Sequence, residues 1–547
     1  MSLRSIACLC AALSFSPLTA LPVGAEQAPL DIKIVNGRVL DGSGNAWFLA
    51  DVGVRDGRIV EVGDLSDAAA KREVDATGLV VAPGFIDVHT HADGDVFDLP
   101  LATNFVRDGV TTIVTGNCGG SVLDVGEYLD RVDRDGVGVN VATLIGHNSV
   151  IREQKGSVAE QVTDEQLEAA RARVRKAMEE GAVGMSTGLI YLPGLWSPTE
   201  EIIELQRVAA EYGGIYATHM RNEGTGIMAA IDEALRVGEE TGSRVQISHF
   251  KLPAHAQRLL GNTATMEKVF AARARGMEVW VDQYPYTASS TGITTLLPDW
   301  VLENGGEAAR KILQDEEQVA RVRQEMAEGI VRSQRGDYTY CQVANARAFP
   351  EYSGKRIPEI AIMRREVPRD EPATIEEQID TIIAIYLNGG AGMVYHTMKE
   401  DAVESIMRSP LVSIASDSGI REFGVGVPHP RGYGTNARVL GEYARERGVL
   451  TLEEAIRKMT SMPARAFRFS DRGLIQPGFA ADIVVFDPTT ITDNATFTEP
   501  HQYSTGFALV MVNGVPVVEN DEITGERPGK ALRGPGWKPA ENNESGG

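Results

Sequence analysis

Along the middle of the chain, apolar and polar positions fall into two alternating rhythms. Short runs of consecutive apolar, often β-branched residues occur at 80–88, 111–115, 140–145, 182–187, 215–219, 244–248, 278–283 and 411–415. Runs of this length and type predict strands buried on both faces. Between them the apolar residues recur every three or four positions, the period of an amphipathic helix. The helix ends carry their own signals. Ser197-Pro198-Thr199-Glu200 reads as a capping box ahead of Ile202, Leu205 and Val208, with a stop at Gly213-Gly214. Thr163 to Gln166 opens a second such helix, which carries Leu167, Ala170, Val174 and Ala177 on one face and ends at Gly181. Eight strand–helix units predict a parallel (β/α)8 TIM barrel. No dinucleotide-type glycine fingerprint follows the first strand, which counts against an open, doubly wound sheet.

The two ends of the chain follow a different pattern. Residues 30–82 read as short strands joined by tight turns at Asn36-Gly37 and Asp56-Gly57, and the pattern returns after Gly473, with a turn at Asn513-Gly514. Both termini are therefore expected to build one small β-sandwich domain, from 26–81 and 473–534, around a barrel at 82–472. Residues 288–390 break the barrel rhythm between the seventh and eighth strands. With a charged helix at 307–334 and a short strand at 338–344, this stretch is read as an inserted subdomain at the barrel mouth, suited to act as a lid. The polar residues 535–547 are expected to form a frayed tail.

Bulk composition narrows the functional classes. At 547 residues, 43% hydrophobic and 24% charged, the chain is long enough for a large barrel with an appendage. A formal charge of −23 disfavours nucleic acid and anionic membrane surfaces as partners. A small molecule is left as the expected partner, and the oligomeric state is left open. Residues 1–25 have the form of a secretory signal: Arg4, an apolar stretch from Ile6 to Leu21, and small residues at Val23-Gly24-Ala25. Cys8 and Cys10 would leave with it. Cys118 and Cys341 then remain to pair as a disulfide in an oxidising compartment or, the preferred reading, to leave Cys118 as a metal-bound thiolate.

The candidate chemistry lies at the predicted strand ends. His89 and His91 share one side of an extended segment and can grip one ion together. Cys118 follows the second strand, His219 the fifth, His249 the sixth and Asp417 the eighth. In a TIM barrel the C-terminal strand ends converge on one site. Thiolate with imidazoles favours zinc, which lowers the pKa of a bound water to about 7. Asp417 is placed to accept a proton from the nucleophile and return it to a leaving amine. Lys251, Tyr191, Tyr284 and His147 lie at or just beyond strand ends and are candidate pocket residues, whereas His255, His396, His429 and His501 are read as structural. Asp87, two residues before His89, is read as an orienting carboxylate or a strand-entry residue.

Taken together, several stretches resemble the amidohydrolase superfamily, in particular its N-acyl-D-amino-acid deacylase branch. They are Gly84-Phe85-Ile86-Asp87-Val88-His89-Thr90-His91, Gly116-Asn117-Cys118-Gly119, Thr218-His219-Met220-Arg221, Ile247-Ser248-His249-Phe250-Lys251, Ser416-Asp417-Ser418 and His429-Pro430-Arg431. The segment from Gly473 to Val484 resembles the family's return into the small β-domain. Many binuclear members bridge two metals with a carboxylated lysine on the fourth strand, but Gly184-Met185-Ser186-Thr187-Gly188 has no lysine. The resemblance implies that Cys118 takes that place. It further implies a tight zinc on Cys118, His219 and His249, a weaker second site on His89 and His91, Asp417 as general base, and Arg431 on the substrate α-carboxylate. The expected reaction is hydrolysis of the acyl amide of N-acyl-D-amino acids. Alternatives are cleavage of cyclic amides or D-residue dipeptides and, more remotely, a non-catalytic periplasmic binding protein.

The signal reading yields the first prediction. The mature protein is expected to begin near Glu26 and to lie in the periplasm or medium, which N-terminal sequencing of protein from its native host checks. A cytoplasmic chain that keeps Met1 would overturn it.

Overall fold

In the computed structural model, the apolar run at 80–88 folds as two strands that meet at Gly84. Residues 28–367 and 370–539 are described; the signal reading at 1–25 lies outside them. Val80–Pro83 joins the small domain, parallel to Arg38–Val39 and antiparallel to Ile483–Phe486. Phe85–Asp87 then starts the barrel beside Val110–Thr115. A Cβ at Gly84 would lie 2.3 Å from the Thr111 side chain, so the passage between domains needs a glycine. The domain boundary thus falls at Gly84, slightly later than the sequence pattern placed it.

The small domain is a sandwich of two sheets. One has four strands, including Leu30–Val35 and Asp51–Arg55; the other has seven, including Ile483–Phe486 and Phe507–Val512. Ile32, Ile34, Val52 and Val54 from the first face Val81, Ile483, Val485 and Leu509 from the second in one apolar core.

The barrel has the eight predicted parallel strands. The first three are Phe85–Asp87, Val110–Thr115 and Asn140–Thr143; the third continues past Leu144 as Ile145–Gly146. Gly184–Gly188, Ile215–His219, Val245–Ile247, Val279–Gln283 and Val412–Ile414 complete the round. Between the eighth and first strands the barrel closes through Asp417 N–H to His89 O and His91 N–H to Ser418 O, both 2.9 Å. Asp87 serves the same seam, since its carboxylate accepts the Ser416 N–H at 3.1 Å and also that of His89. Inside the barrel Ile86, Val88, Val114, Ala217 and Trp280 pack together, and Met462 and Phe467 of helix Ser461–Phe467 join them.

Several local expectations need correction. The Thr163 capping box forms, but helix Thr199–Glu211 starts after Pro198 and has no side-chain cap. The charged segment at 307–334 is two helices, Gly305–Gln314 and Glu316–Ser333, because Asp315 caps the second by accepting the Gln318 N–H. The insertion ends later than residue 390. Its three-stranded sheet has Gly392–Tyr395 in the middle, between Ser289–Gly292 and Cys341–Asn345, and it carries its own apolar core. Residues 530–534 leave the small domain and run along the barrel, with Leu532 N–H bonded to Val141 O and Gly534 N–H to Gly181 O. Within the described part of the tail, Lys538 N–H bonds the Glu179 backbone carbonyl at 3.0 Å and its ammonium pairs with the Glu179 carboxylate.

Asp108, 4% exposed, ties three segments together. It accepts the N–H groups of Asn436 and Ala437, at 2.7 and 3.0 Å, and the Ser504 hydroxyl at 2.8 Å. Asp108→Ala is expected to cost about 2–5 kcal/mol, because two buried backbone donors lose their acceptor. Chemical denaturation checks this, and a loss under about 0.5 kcal/mol would refute it.

Candidate metal centre

Three of the chemistry-bearing residues leave their strands in left-handed backbone: Cys118 (φ +52°), His249 (φ +35°) and Asp417 (φ +53°). Each such residue stores about 1–3 kcal/mol when its surroundings enforce it. The enforcement is visible here. Gly119 N–H bonds the Ser186 hydroxyl, His249 N–H the Asp282 carboxylate at 2.6 Å, and Asp417 N–H the His89 carbonyl. Beyond the fourth strand, Gly188 leaves the room that Cys118 needs, since a Cβ there would sit 2.0 Å from the Cys118 carbonyl oxygen.

These backbones bring the predicted ligands together. Cys118 Sγ is 3.3 Å from His89 Nε2 and 3.6 Å from both His219 Nδ1 and His249 Nε2. The last two nitrogens are only 2.8 Å apart. Burial alone would push the Cys118 thiol up; the surrounding imidazoles override it and hold the group well below the usual thiol range. A second cluster shares His89. His91 Nε2 and His89 Nε2 lie 3.0 and 3.5 Å from Asp417 Oδ1, and the His91 side chain is 40% exposed while that of His89 is fully buried. Burial would likewise raise the Asp417 carboxyl, but Arg431, His249 and His89 hold it well below the usual range. Cys118 and Cys341 are both free, so the disulfide alternative is not realised.

The remaining candidates divide. Arg431, 4% exposed, opens helix Arg431–Arg438. Its Nη1 is 2.7 Å from Asp417 Oδ2 without hydrogen-bond angles, and its Nε has no partner. Its guanidinium stacks 4.7 Å over the Tyr284 ring, whose buried hydroxyl is also unpartnered. Tyr191 lines the same cavity and bonds Thr291 of the insertion at 2.8 Å. His147 stands apart: it is fully buried, with Nε2 2.9 Å from Glu201, and does not line the cavity. Lys251 is also withdrawn, because its ammonium is 2.5 Å from Glu223.

Three residues with direct bearing on the site were missed in the sequence. Asp282, at the end of the seventh strand, lies 3.3 Å from His89 Nδ1. Glu223 faces His219 and His249. His429, read as structural, accepts the Arg431 N–H on Nδ1 and donates from Nε2 to Ala288 O at 3.0 Å. Burial and the neighbouring Arg431 keep its ring neutral, well below the usual histidine range. The signals were an acidic residue four positions after His219 and one inside a strand-end run, neither distinctive alone.

The site opens into a cavity of about 1040 Å³, lined by His91, Cys118, Asp417 and Arg431 from the barrel and by Thr291 and Asn345 from the insertion. The insertion therefore forms one wall of the cavity. Among the described residues, no helix is long and apolar enough to cross a membrane.

Comparison with known proteins is extensive. A model described as "Amidohydrolase family" matches residues 72–518. Two proteins of Alcaligenes xylosoxydans xylosoxydans, named D-aminoacylase and N-acyl-D-glutamate deacylase, are 37% and 34% identical to the chain. Each alignment covers 93% of this chain, and 98% and 97% of the respective relative. Among solved structures, an N-acyl-D-glutamate deacylase from Bordetella bronchiseptica, complexed with zinc and a phosphonate mimic of the tetrahedral intermediate, matches with TM-score 0.78 and 34% identity. That match covers 92% of this chain and 100% of the other. A D-hydantoinase, at TM-score 0.55 and 16% identity over 93% of this chain and 100% of its own, shares the fold alone.

Proposed function

This chain belongs to the amidohydrolase family, and from that premise we propose that it hydrolyses the acyl amide of N-acyl-D-amino acids with zinc bound at the strand-end cluster. The observation that carries the reading is a half-buried cysteine sulfur with three imidazole nitrogens 3.3–3.6 Å away, beside an arginine whose Nε has no hydrogen-bond partner. The donor set fits zinc: a depressed thiol and imidazoles at spacings that ligands on one tetrahedral ion adopt. We assign the tight site to Cys118, His219 and His249, and a weaker one to His89 and His91 with Asp417 between them. The preference for D-substrates rests on the named relatives, and the extracytoplasmic location on the N-terminal segment.

Bound zinc would supply Lewis acidity, polarising the amide carbonyl and lowering the pKa of a nearby water toward neutrality. The chain's own residues do the rest. Asp417, ionised and facing the cluster, takes the proton from water on Oδ1 and delivers it to the departing nitrogen. Arg431 and the Tyr284 hydroxyl present unpartnered donors to the substrate α-carboxylate. His429 holds the start of the Arg431 helix at a fixed place through the Arg431 N–H. Because Arg431 also touches Asp417, carboxylate recognition and the proton acceptor are coupled. Lys251, tied to Glu223, and His147, tied to Glu201, are given structural roles here.

A kinetic screen of N-acetyl-D- and L-amino acids, a hydantoin and a D-residue dipeptide tests the reading. Turnover confined to the D-acyl series supports it, and turnover of the cyclic amide alone would replace it. Asp417→Asn is expected to keep the tight zinc and to lose about 10²–10⁴ in kcat; near-wild-type kcat would exclude the role. Arg431→Ala should lower kcat/KM by about 2–5 kcal/mol in transition-state terms. Since its partner Asp417 is then freed from a cation, the acid limb of the kcat profile should also move to higher pH. An unmoved limb would mean that the 2.7 Å contact does not tune the base.

A further inference from the structure

Glu223 lies in the loop after the fifth strand, four residues beyond His219, and its two carboxylate oxygens address two different imidazoles. Oε1 is 3.0 Å from His249 Nδ1, and Oε2 is 3.4 Å from His219 Nε2, both at ion-pair distance without hydrogen-bond angles. The opposite ring nitrogens, His249 Nε2 and His219 Nδ1, are the ones that face Cys118 Sγ. Each ring thus turns one nitrogen to the sulfur and the other to a single shared carboxylate. Lys251 Nζ, 2.5 Å from Oε1, balances the charge and also lies 2.9 Å from His249 Nδ1.

We propose that Glu223 is a positioning residue that fixes the tautomers of His219 and His249 together and so sets how tightly the chain holds its metal; this rests on the zinc reading above. An ionised carboxylate offers only acceptor oxygens and negative charge, so its place beside both rings favours N–H on the Glu223 side and a lone pair on the Cys118 side. An amide cannot impose that on two donors at once, because one of its ends is itself a donor. Lys251 makes the requirement sharper. Without the carboxylate, the ammonium would donate to His249 Nδ1 and move the ring proton to Nε2, the position that must be free for a metal.

The test compares wild type, Glu223→Gln, Glu223→Asp and the double variant Glu223→Gln/Lys251→Met. Zinc affinity is read by chelator competition, and the ligand field by the absorption spectrum of the cobalt(II)-substituted proteins. Glu223→Gln is expected to bind zinc about 10–100-fold more weakly with altered thiolate-to-cobalt bands. Glu223→Asp, which keeps both acceptor oxygens, should recover part of the loss, and the double variant should bind more tightly than Glu223→Gln because the competing donor is gone. A Glu223→Gln affinity within twofold of wild type would overturn the proposal, as would a double variant no better than the single one. A wild type that takes up no zinc would overturn the zinc reading itself.

Discussion

Everything at the barrel mouth depends on how four donors can be crowded against one another. A thiolate with three imidazole nitrogens at 3.3–3.6 Å is a dense set of lone pairs, and two of those nitrogens are 2.8 Å apart. Such an arrangement is unfavourable unless protons or a cation lie between the donors. The surroundings are built to that demand. Glu223 stands behind two of the rings, Asp282 behind the third, and Lys251 and Arg431 offset the added carboxylates. The outer residues belong to the cluster's charge balance as much as the four donors do.

The second constraint is conformational. Cys118, His249 and Asp417 reach the centre only through backbone that L-residues avoid. The cost is met locally, by Ser186, by Asp282 and by the seam between the eighth and first strands. That seam makes the site sensitive to barrel closure, because the residue that completes the circle, Asp417, is the proposed proton acceptor.

Much of this was legible in the sequence, for physical reasons that also mark its limits. Buried parallel strands advertise themselves as apolar runs, so all eight barrel strands could be placed, and strand-end geometry then grouped His89, His91, Cys118, His219, His249 and Asp417. The run at 80–88 misled because hydrophobicity does not register a change of sheet, which only the steric demand at Gly84 reveals. Glu223, Asp282 and His429 were hidden because orienting partners are recognised by what they touch, and contacts between distant segments leave no local pattern. The carboxylate partners of Lys251 and His147 were hidden for the same reason: a strand-end position does not tell whether a side chain faces the cavity or a neighbouring carboxylate. Residues 530–534 were read with the small domain and those from Pro535 as a polar tail, yet Leu532, Gly534 and Lys538 find backbone partners on the barrel.

The two-ended sandwich has a kinetic meaning. Val80–Pro83, which leads directly into the first barrel strand, finds its antiparallel partner in Ile483–Phe486, some four hundred positions later. Closing so wide a loop costs only slowly growing entropy, about (3/2)RT ln n, but it cannot begin before the distant strand exists. A ribosome releasing the chain from its N-terminus therefore makes every proposed ligand well before it makes the strand that anchors the entry to the barrel. Until then the barrel's entry strand has only Arg38–Val39 beside it in the small domain, the period in which aggregation, oxidation or binding of a wrong metal would compete most strongly with folding.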